Sequence, residues 1–236
     1  PGEAYSVGDM GEQLREKVKA AAVIKKPHKV DFSNTGKIDK VNISTLNATN
    51  KIIAIGASTG GTEALKEILT ALPAEMPPII VTQHMPANFT KSFSERLNSI
   101  CRMQVKEAEH REQVTPGKVL IAPGNKHMTL KRNGALYFVE VKDGPLVFHQ
   151  RPSVEIMFNS VAEEAGKNAV GVILTGMGRD GAGGLLEMRK TGAATIAQDE
   201  KSCIVFGMPK EAIEIGAAAK ILPLSEIAKE LKRYSI

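Results

Sequence analysis

The feature that most constrains the fold is a regular alternation of short apolar runs with helical patterns, which starts at residue 51. The apolar runs, which are typical of buried strands, are 52–55, 78–81, 119–121, 170–174, 194–197 and 221–222. The helical stretches that separate most of them are 63–72, 89–100, 154–165, 183–190, 210–215 and 226–234. Strands that alternate with helices predict βαβ units and a parallel sheet, and runs that are apolar on both faces predict helices on both sides. The sequence therefore predicts an α/β fold with a doubly wound, mainly parallel sheet flanked by helices.

One segment departs from this alternation. Asn133-Gly134 lies between two strand-like stretches, 129–132 and 135–139. Asn-Gly in that context is typical of a β-hairpin, because both residues adopt the positive φ angles that a tight turn requires. We therefore expect one antiparallel β-hairpin added to the otherwise parallel sheet.

The first fifty residues differ in character from the rest. Apolar residues at helical spacing predict an amphipathic helix over about 11–24; they are Leu14, Val18, Ala21 and Ala22. The stretch 27–50 is rich in Ser, Thr, Asn, Lys and Asp, a composition typical of a linker. The sequence thus predicts a helical segment within 1–24, a linker over 25–50 and one domain over 51–236.

Composition excludes several classes of protein. Hydrophobic residues make up 42% of the 236 residues and charged residues 24%, which excludes wholesale disorder. The net charge of +5 comes from scattered basic residues with only 4% aromatics, so no nucleic-acid partner is expected. Two cysteines, Cys101 and Cys203, are too few for a disulfide framework or a four-cysteine zinc site. No apolar run is long enough to span a membrane, so no membrane insertion is expected. The two cysteines are expected to be reduced thiols of a cytoplasmic protein. The sequence has no His-x-x-x-His or Cys-x-x-Cys pattern, so no metal site is expected.

Three candidate catalytic residues follow predicted strands. Ser58 comes just after the first apolar run, His84 after the second, and Asp180 after the run 170–174. Ligands of open α/β sheets bind at the carboxyl ends of the strands, which all lie at one edge. The sequence therefore predicts a site that combines a serine, a histidine and an aspartate.

The glycine-rich loop after the first strand fits three known patterns to different degrees. As a phosphate-binding loop it has the right glycine spacing, but Thr62 stands where a lysine is required. As a dinucleotide fingerprint it has Ser58 where the second glycine belongs. The pattern Gly-x-Ser-x-Gly is met in full by residues 56–60, between a strand and a helix, which is the context of a nucleophile elbow. The order serine, histidine, aspartate differs from that of α/β-hydrolases, which argues against that fold but not against the chemistry.

Each of these residues also has a purely structural interpretation. Ser58 can cap the helix that follows it, His84 can be a hydrogen-bonded loop residue, and Asp180 can cap a helix that starts at Gly181. Each structural interpretation is favoured when its residue is taken alone. The position of all three at strand carboxyl ends favours catalysis, since a serine hydroxyl needs a neighbouring base, and an aspartate can orient and stabilise the imidazole of that base. His127, near the predicted hairpin, is a further candidate for the edge of the site.

At these loops the chain resembles the bacterial chemotaxis protein-glutamate methylesterases. The likeness runs over nearly all of residues 50–234. The motifs that carry it are GASTGG at 56–61, QHMP at 83–86, APG at 122–124, RPSV at 151–154, LTGMGRDG at 174–181 and GMP at 207–209. Together they are far more specific than Gly-x-Ser-x-Gly alone.

The resemblance implies a catalytic triad of Ser58, His84 and Asp180, with backbone oxyanion donors near Met177. It implies a serine hydrolase without a cofactor, which cleaves glutamyl methyl esters on the cytoplasmic coiled coil of methyl-accepting chemoreceptors, releases methanol, and deamidates receptor glutamines. It also implies that residues 1–24 are the last loop and helix of a receiver domain, whose phospho-acceptor lies outside this sequence. Two other hypotheses stay open: a nucleotide- or phosphate-binding module built on the glycine-rich turn, and a docking domain without activity.

Overall fold

The computed structural model describes residues 51–235 and, before them, Arg15, Val18 and Ala22. The chain divides into two units, residues 1–31 and 32–236. In the first unit the three described residues are helical and exposed. The remainder of the predicted helix over 11–24, and the predicted linker over 25–50, lie outside the described residues.

The alternation of strands and helices is confirmed over residues 51–235. The strands are β1 Ile52–Ala57, β2 Ile79–Gln83, β3 Gln104–Glu107, β4 Glu112–Gln113, β5 Lys118–Ile121, β6 His127–Asn133, β7 Leu136–Lys142, β8 Ala169–Ile173, β9 Ala194–Gln198 and β10 Lys220–Leu222. The helices are α1 Gly61–Ala71, α2 Phe89–Ile100, α3 Val154–Ala165, α4 Ala182–Lys190, α5 Met208–Glu214 and α6 Leu224–Lys232. A short 3-10 turn, Gly166–Asn168, joins α3 to β8.

Seven of these strands form one sheet in the order β10-β9-β8-β1-β2-β5-β3, and every neighbouring pair is parallel. From β1 the chain first builds the sheet in one direction, through β2, β3 and β5. It then returns to the other side of β1 and adds β8, β9 and β10. The order therefore reverses between β1 and β8, and ligand sites of doubly wound sheets form at the carboxyl edge of such a reversal.

Apolar layers cover both faces of this sheet. Alternate residues of β1 face opposite sides, so Ile52 belongs to one buried cluster and Ile53 to the other. The first cluster includes residues of α3, α4 and α5, and the second includes residues of α1, α2 and α6. Both isoleucines are fully buried, and full burial of such a side chain contributes about 1.5–3 kcal/mol. Strand β1 is thus held from both sides, which fixes the position of the loop that follows it.

The predicted hairpin is confirmed, but its expected attachment to the parallel sheet is wrong. Strands β6 and β7 pair antiparallel and form a separate three-stranded sheet with β4. Buried residues of the hairpin, such as Leu130 and Val139, join the same apolar cluster as α3. The turn is also shifted by one residue from the predicted Asn133-Gly134. Asn133 pairs with Leu136, so the two turn residues are Gly134 and Ala135, of which only Gly134 has a positive φ, 59°. Local alternation predicts a hairpin but carries no information about which layer it packs on.

Strand β3 has no counterpart among the predicted strands. It lies at the edge of the parallel sheet, and Val105 is its one buried residue. An edge strand is apolar on at most one face, so the polar sequence Gln-Val-Lys-Glu lacks the continuous apolar run that marks the central strands.

Candidate active site

The candidate site lies where three neighbouring central strands end. In the register of the sheet Ala57 of β1 pairs with Gln83 of β2, so Ser58 and His84 occupy the next positions on adjacent strands. The His84 amide N–H donates to the Ala57 carbonyl oxygen at 3.0 Å, which continues the ladder past the strand ends. Asp180 comes from the longer loop after β8, on the other side of β1. The structure therefore places all three predicted residues at one edge of the sheet.

His84 and Asp180 form a buried hydrogen-bonded pair. His84 Nε2 lies 2.7 Å from Asp180 Oδ2, and only 6% and 2% of the two side chains are exposed. Asp180 Oδ1 accepts from the Ser153 hydroxyl at 2.7 Å and from the Glu155 amide at 2.9 Å, and Oδ2 accepts from the Val154 amide at 2.8 Å. These donors belong to the N-cap and first turn of α3, where unpaired amides and the helix dipole favour a negative charge. The carboxylate therefore acts as the acceptor, and Nε2 of His84 carries the ring proton.

The structural role of Asp180 differs from the one that the sequence suggested. Asp180 caps α3, whereas the sequence suggested that it caps a helix beginning at Gly181. The Gly181 amide instead donates to the Glu155 side chain at 3.1 Å. The starts of the two helices are thus bonded to each other. Asp180, just before α4, accepts from α3 amides, and Glu155 of α3 accepts from the amide of Gly181, the N-cap of α4.

Ser58 does not have the capping role that its position also allowed. Helix α1 has Gly60 as its N-cap, with no side-chain hydrogen bond. Among the described residues the Ser58 hydroxyl makes no hydrogen bond, and His84 Nδ1 is buried without a partner. In a neutral imidazole that donates through Nε2, Nδ1 presents a lone pair that can accept a proton. A hydroxyl donor and a ring nitrogen acceptor thus lie at adjacent strand ends with complementary requirements.

The loop around Met177 lies against Ser58. The Ser58 amide donates to the Thr175 carbonyl at 3.0 Å, and a Cβ built on Gly176 would lie 2.7 Å from Ser58 Cβ. The Gly176 carbonyl accepts from the amides of Gly207 and Met208 at 3.1 and 2.8 Å. Because C=O and N–H of a trans peptide point in opposite directions, the Met177 amide points away from these donors. It has no hydrogen-bond acceptor among the described residues, as expected of a donor for an external oxyanion.

Thr175 connects this loop to the loop of Ser58. Its hydroxyl donates to the Thr59 carbonyl at 3.0 Å and accepts from the amides of Ile204 and Val205. Cys203 lies in the same segment, and burial raises the pKa of its thiol to about 12. A thiol that is almost wholly protonated at neutral pH is a poor nucleophile.

His127, a further candidate for the edge of the site, lies behind the site rather than facing it. It is only 4% exposed. Its Nδ1 accepts from the Ser153 amide at 3.2 Å, and its Nε2 lies 2.8 Å from the Pro145 carbonyl oxygen. With both ring nitrogens bonded, His127 holds the residue that in turn binds Asp180.

Sequence reasoning did not identify two residues that contact the candidate triad, or a backbone donor next to Ser58. Ser153 binds Asp180, Gln83 bonds the backbone at Ser58 and His84, and Thr59 carries an amide without an acceptor among the described residues. A serine directly before the predicted helix 154–165 is an N-cap signature that could have identified Ser153. Nothing in the pattern of the chain identifies the contacts of Gln83.

Two absences are observed within residues 51–235 and the three helical residues before them. No helix in that part of the chain is long and apolar enough to cross a membrane. Nor does that part contain three His, Cys, Asp or Glu side chains grouped so that they could hold a metal ion.

These features define a doubly wound α/β protein with a serine, a histidine and a buried aspartate at one sheet edge. The chain belongs to the CheB methylesterase family, whose model matches residues 53–231. The protein-glutamate methylesterase/protein-glutamine glutaminase 2 of Syntrophus aciditrophicus is 57% identical over 99% of this chain and 68% of its own length. The corresponding protein 1 of Geobacter metallireducens is 53% identical over 94% of this chain and 63% of its own length. The resemblance inferred from the motifs is confirmed.

A solved structure gives the same result for the fold. The catalytic domain of the CheB methylesterase of Thermotoga maritima superposes with a TM-score of 0.76 at 43% sequence identity. The match covers 97% of that domain and 78% of this chain. This chain therefore contains nearly the whole length of a catalytic domain, while it spans about two thirds of these two curated relatives.

Proposed function

We propose that this chain hydrolyses glutamyl methyl esters on chemoreceptors, with release of methanol, and converts receptor glutamines to glutamates. Membership of the CheB methylesterase family and the names of the relatives support this activity. The observation that carries it is the 2.7 Å contact between His84 and Asp180, together with the unpartnered Nδ1 of His84, which follows the strand next to that of Ser58. Both reactions release a glutamyl side chain as its carboxylate, so one acyl-transfer site serves both.

Acylation begins at Ser58. Its hydroxyl oxygen attacks the acyl carbon of the ester while its proton passes to Nδ1 of His84. The carbonyl oxygen becomes an oxyanion, for which the amides of Thr59 and Met177 are the proposed donors. Collapse of the tetrahedral species breaks the bond to the methoxy group, which takes the proton from His84 and leaves as methanol. With a glutamine substrate the leaving group is ammonia.

Deacylation repeats these steps with water. Water gives a proton to Nδ1 of His84 and attacks the acyl carbon of the ester that joins the substrate to Ser58. Collapse returns the proton to the serine oxygen and frees the glutamate. Asp180, whose oxygens accept from three donors at the start of α3, orients the imidazole and stabilises the imidazolium that forms twice per turnover.

The proposed protein substrate is the cytoplasmic coiled coil of methyl-accepting chemoreceptors, which places the reaction in the cytoplasm. Thr59, Pro86 and Arg179 at the rim of the site are all exposed, so a side chain on the surface of another protein can reach Ser58. Arg179 lies over the ring of Phe148, with its guanidinium carbon 4.9 Å from the centroid. The rim thus combines a cation with aromatic surface.

Methanol release from methylated receptor tests the proposal. The comparison is between the chain as it stands, Ser58→Ala, and Ser99→Ala as a matched serine change at an exposed position of α2. We expect release from the first and third proteins and only background release from Ser58→Ala. Equal release by all three would contradict the assignment of the nucleophile, and no release by any would contradict the activity.

We further propose that residues 1–24 belong to a receiver domain and that residues 25–50 link this receiver to the catalytic domain. The receiver is then a partner of the catalytic domain within the same protein. The proposed catalytic side chains all lie beyond residue 51. Deletion of residues 1–48 should therefore change turnover little. A large gain in turnover on deletion would show that the segment restrains the site.

A further inference from the structure

Gln83, the last residue of β2, lies beneath both the serine loop and the histidine loop. It is 3% exposed. Its amide Nε2 donates to the Ser58 carbonyl oxygen at 2.9 Å and to the His84 carbonyl oxygen at 3.1 Å. Because both neighbours are carbonyl oxygens, only the amide nitrogen can face them, which fixes the orientation of the amide. One buried side chain thus connects the backbones of the proposed nucleophile and the proposed base.

The rest of this amide is confined by Gly61. The Gln83 Oε1 atom is buried without a hydrogen-bond partner among the described residues. A Cβ built on Gly61 would lie 2.2 Å from that oxygen, so only glycine leaves room for it. A buried acceptor without a partner reduces stability. An apolar side chain at this position would avoid the cost of the unpartnered oxygen. The glutamine is therefore explained by the two hydrogen bonds that its amide donates.

The bond to Ser58 sets the direction of a neighbouring donor. The Ser58 carbonyl accepts from Gln83 Nε2 and from the Gly61 amide at 2.7 Å. The Thr59 amide belongs to the same peptide unit and points the opposite way, and it has no acceptor among the described residues. Rotation of this peptide would turn that amide away from the developing oxyanion. The Met177 amide is directed in the same manner, by the two amides that bind the Gly176 carbonyl.

We infer that Gln83 is a positioning residue for the proposed hydrolysis: it holds the Ser58–Thr59 peptide and the His84 backbone in the orientation that catalysis requires. Its side chain is buried and its amide binds backbone carbonyls, so we expect it to act on turnover and not on binding. This inference rests on the proposed function for its kinetic test, but the geometry it invokes can be measured without a substrate.

The test replaces Gln83 by methionine, which has similar length and no donor. The matched control is Thr195→Val, which removes another buried side-chain hydrogen bond, from the Ala219 amide at 3.0 Å, at the start of β9. We expect Gln83→Met to lower kcat about 10- to 100-fold, the scale of a misplacement near 1 Å, with KM changed less than twofold. Thr195→Val should leave kcat unchanged. A kcat of Gln83→Met equal to that of the control would overturn the inference, and so would a loss confined to KM.

Gly61→Ala gives a second, independent perturbation of the same contact. The added methyl group would displace the Gln83 amide, so this variant should reproduce the kinetic change of Gln83→Met. Normal kcat in Gly61→Ala, with the melting temperature retained, would show that the amide position does not matter.

Two further measurements separate this inference from the proposed function. Hydrogen exchange of the Gly61 and His84 amides, which donate to the Ser58 and Ala57 carbonyl oxygens, should be faster in Gln83→Met than in Thr195→Val. The rate at which a fluorophosphonate labels Ser58 should fall along with kcat. If the unchanged chain is labelled but releases no methanol from receptor, the proposed substrate is wrong. The positioning role of Gln83 is then still tested by labelling and by hydrogen exchange. Exchange and labelling rates that match those of Thr195→Val would overturn the positioning role itself.

Discussion

The two sides of the candidate site differ in how their polar groups are bonded. On the side of Asp180 both carboxylate oxygens are bonded by His84, Ser153 and the first amides of α3. On the side of Ser58, His84 Nδ1 is buried without a partner. The Ser58 hydroxyl and the Thr59 amide also make no hydrogen bond among the described residues. The comparison suggests a division of roles, in which the bonded side fixes orientation and the unbonded side reacts.

Unbonded polar groups in a partly buried site reduce stability, by about 1–3 kcal/mol for each group that is fully buried. The carbonyls next to these groups are bonded more fully. Ser58 O and Gly176 O each accept two hydrogen bonds, and those bonds direct the adjacent amides of Thr59 and Met177. The backbone therefore holds the unbonded donors in place before any substrate arrives, which is how a site avoids reorganisation during reaction.

The largest effects are expected on the unbonded side. Ser58→Ala and His84→Ala should each lower kcat about 10⁴- to 10⁶-fold, because either change removes the proton transfer that activates the nucleophile. Since the two groups act as one unit, the double variant should be little worse than either single variant. Methanol release checks this, with circular dichroism to show that each variant is folded. Losses that multiply in the double variant would mean that one of the two roles is misassigned.

The next effect tests the bonded side. Asp180→Asn keeps the shape of the side chain but replaces one acceptor oxygen by an NH₂ donor. We expect kcat to fall about 10⁴-fold, since the amide no longer favours the correct imidazole tautomer. The melting temperature should fall as well, because the amides of Val154 and Glu155 both donate to this carboxylate. Nearly normal kcat with a lowered melting temperature would reduce Asp180 to a helix cap.

A smaller effect on the bonded side is expected from Ser153→Ala. This change removes the hydroxyl that binds Asp180 Oδ1 and caps α3. Loss of such a cap costs about 0.5–2 kcal/mol of stability, and we expect kcat to fall about tenfold or less, because Asp180 keeps its other donors. Ser160→Ala is the matched control, as Ser160 is a buried serine of the same helix whose hydroxyl bonds Leu130 and Met157 instead. Equal kcat losses in both variants would assign the effect to helix stability alone.

The sequence predicts the candidate catalytic residues on both sides of the site but not the contacts that support them. Ser58, His84 and Asp180 could be identified because strand ends are visible as ends of apolar runs, and the parallel sheet brings these ends together. The contact between Gln83 and two carbonyls could not, because it depends on how two loops fold back over a buried side chain. The bond between Asp180 and the start of α3 joins residues 26 positions apart, and local pattern suggested a cap of the next helix instead. The fold can be predicted from the periodic spacing of apolar residues along the chain. The contacts that hold the site residues in place are tertiary contacts, which leave no such periodic pattern in the sequence.

The smallest effect concerns Cys203, whose thiol interacts with Thr175 in the loop next to Ser58. Burial raises the pKa of Cys203 to about 12, so at pH 8 only about one thiol in 10⁴ is the reactive thiolate. Below the pKa this fraction grows about tenfold with each unit of pH, and because the pKa is raised to about 12 the fraction stays small below pH 9. Iodoacetamide at pH 8 should therefore leave methanol release unchanged, while a fluorophosphonate directed at Ser58 should abolish it. Mass spectrometry of the treated protein checks the site of modification. Loss of activity in proportion to alkylation of Cys203 would show that the thiol takes part in the reaction and that the serine hydroxyl is not the sole reactive group beside the Met177 loop.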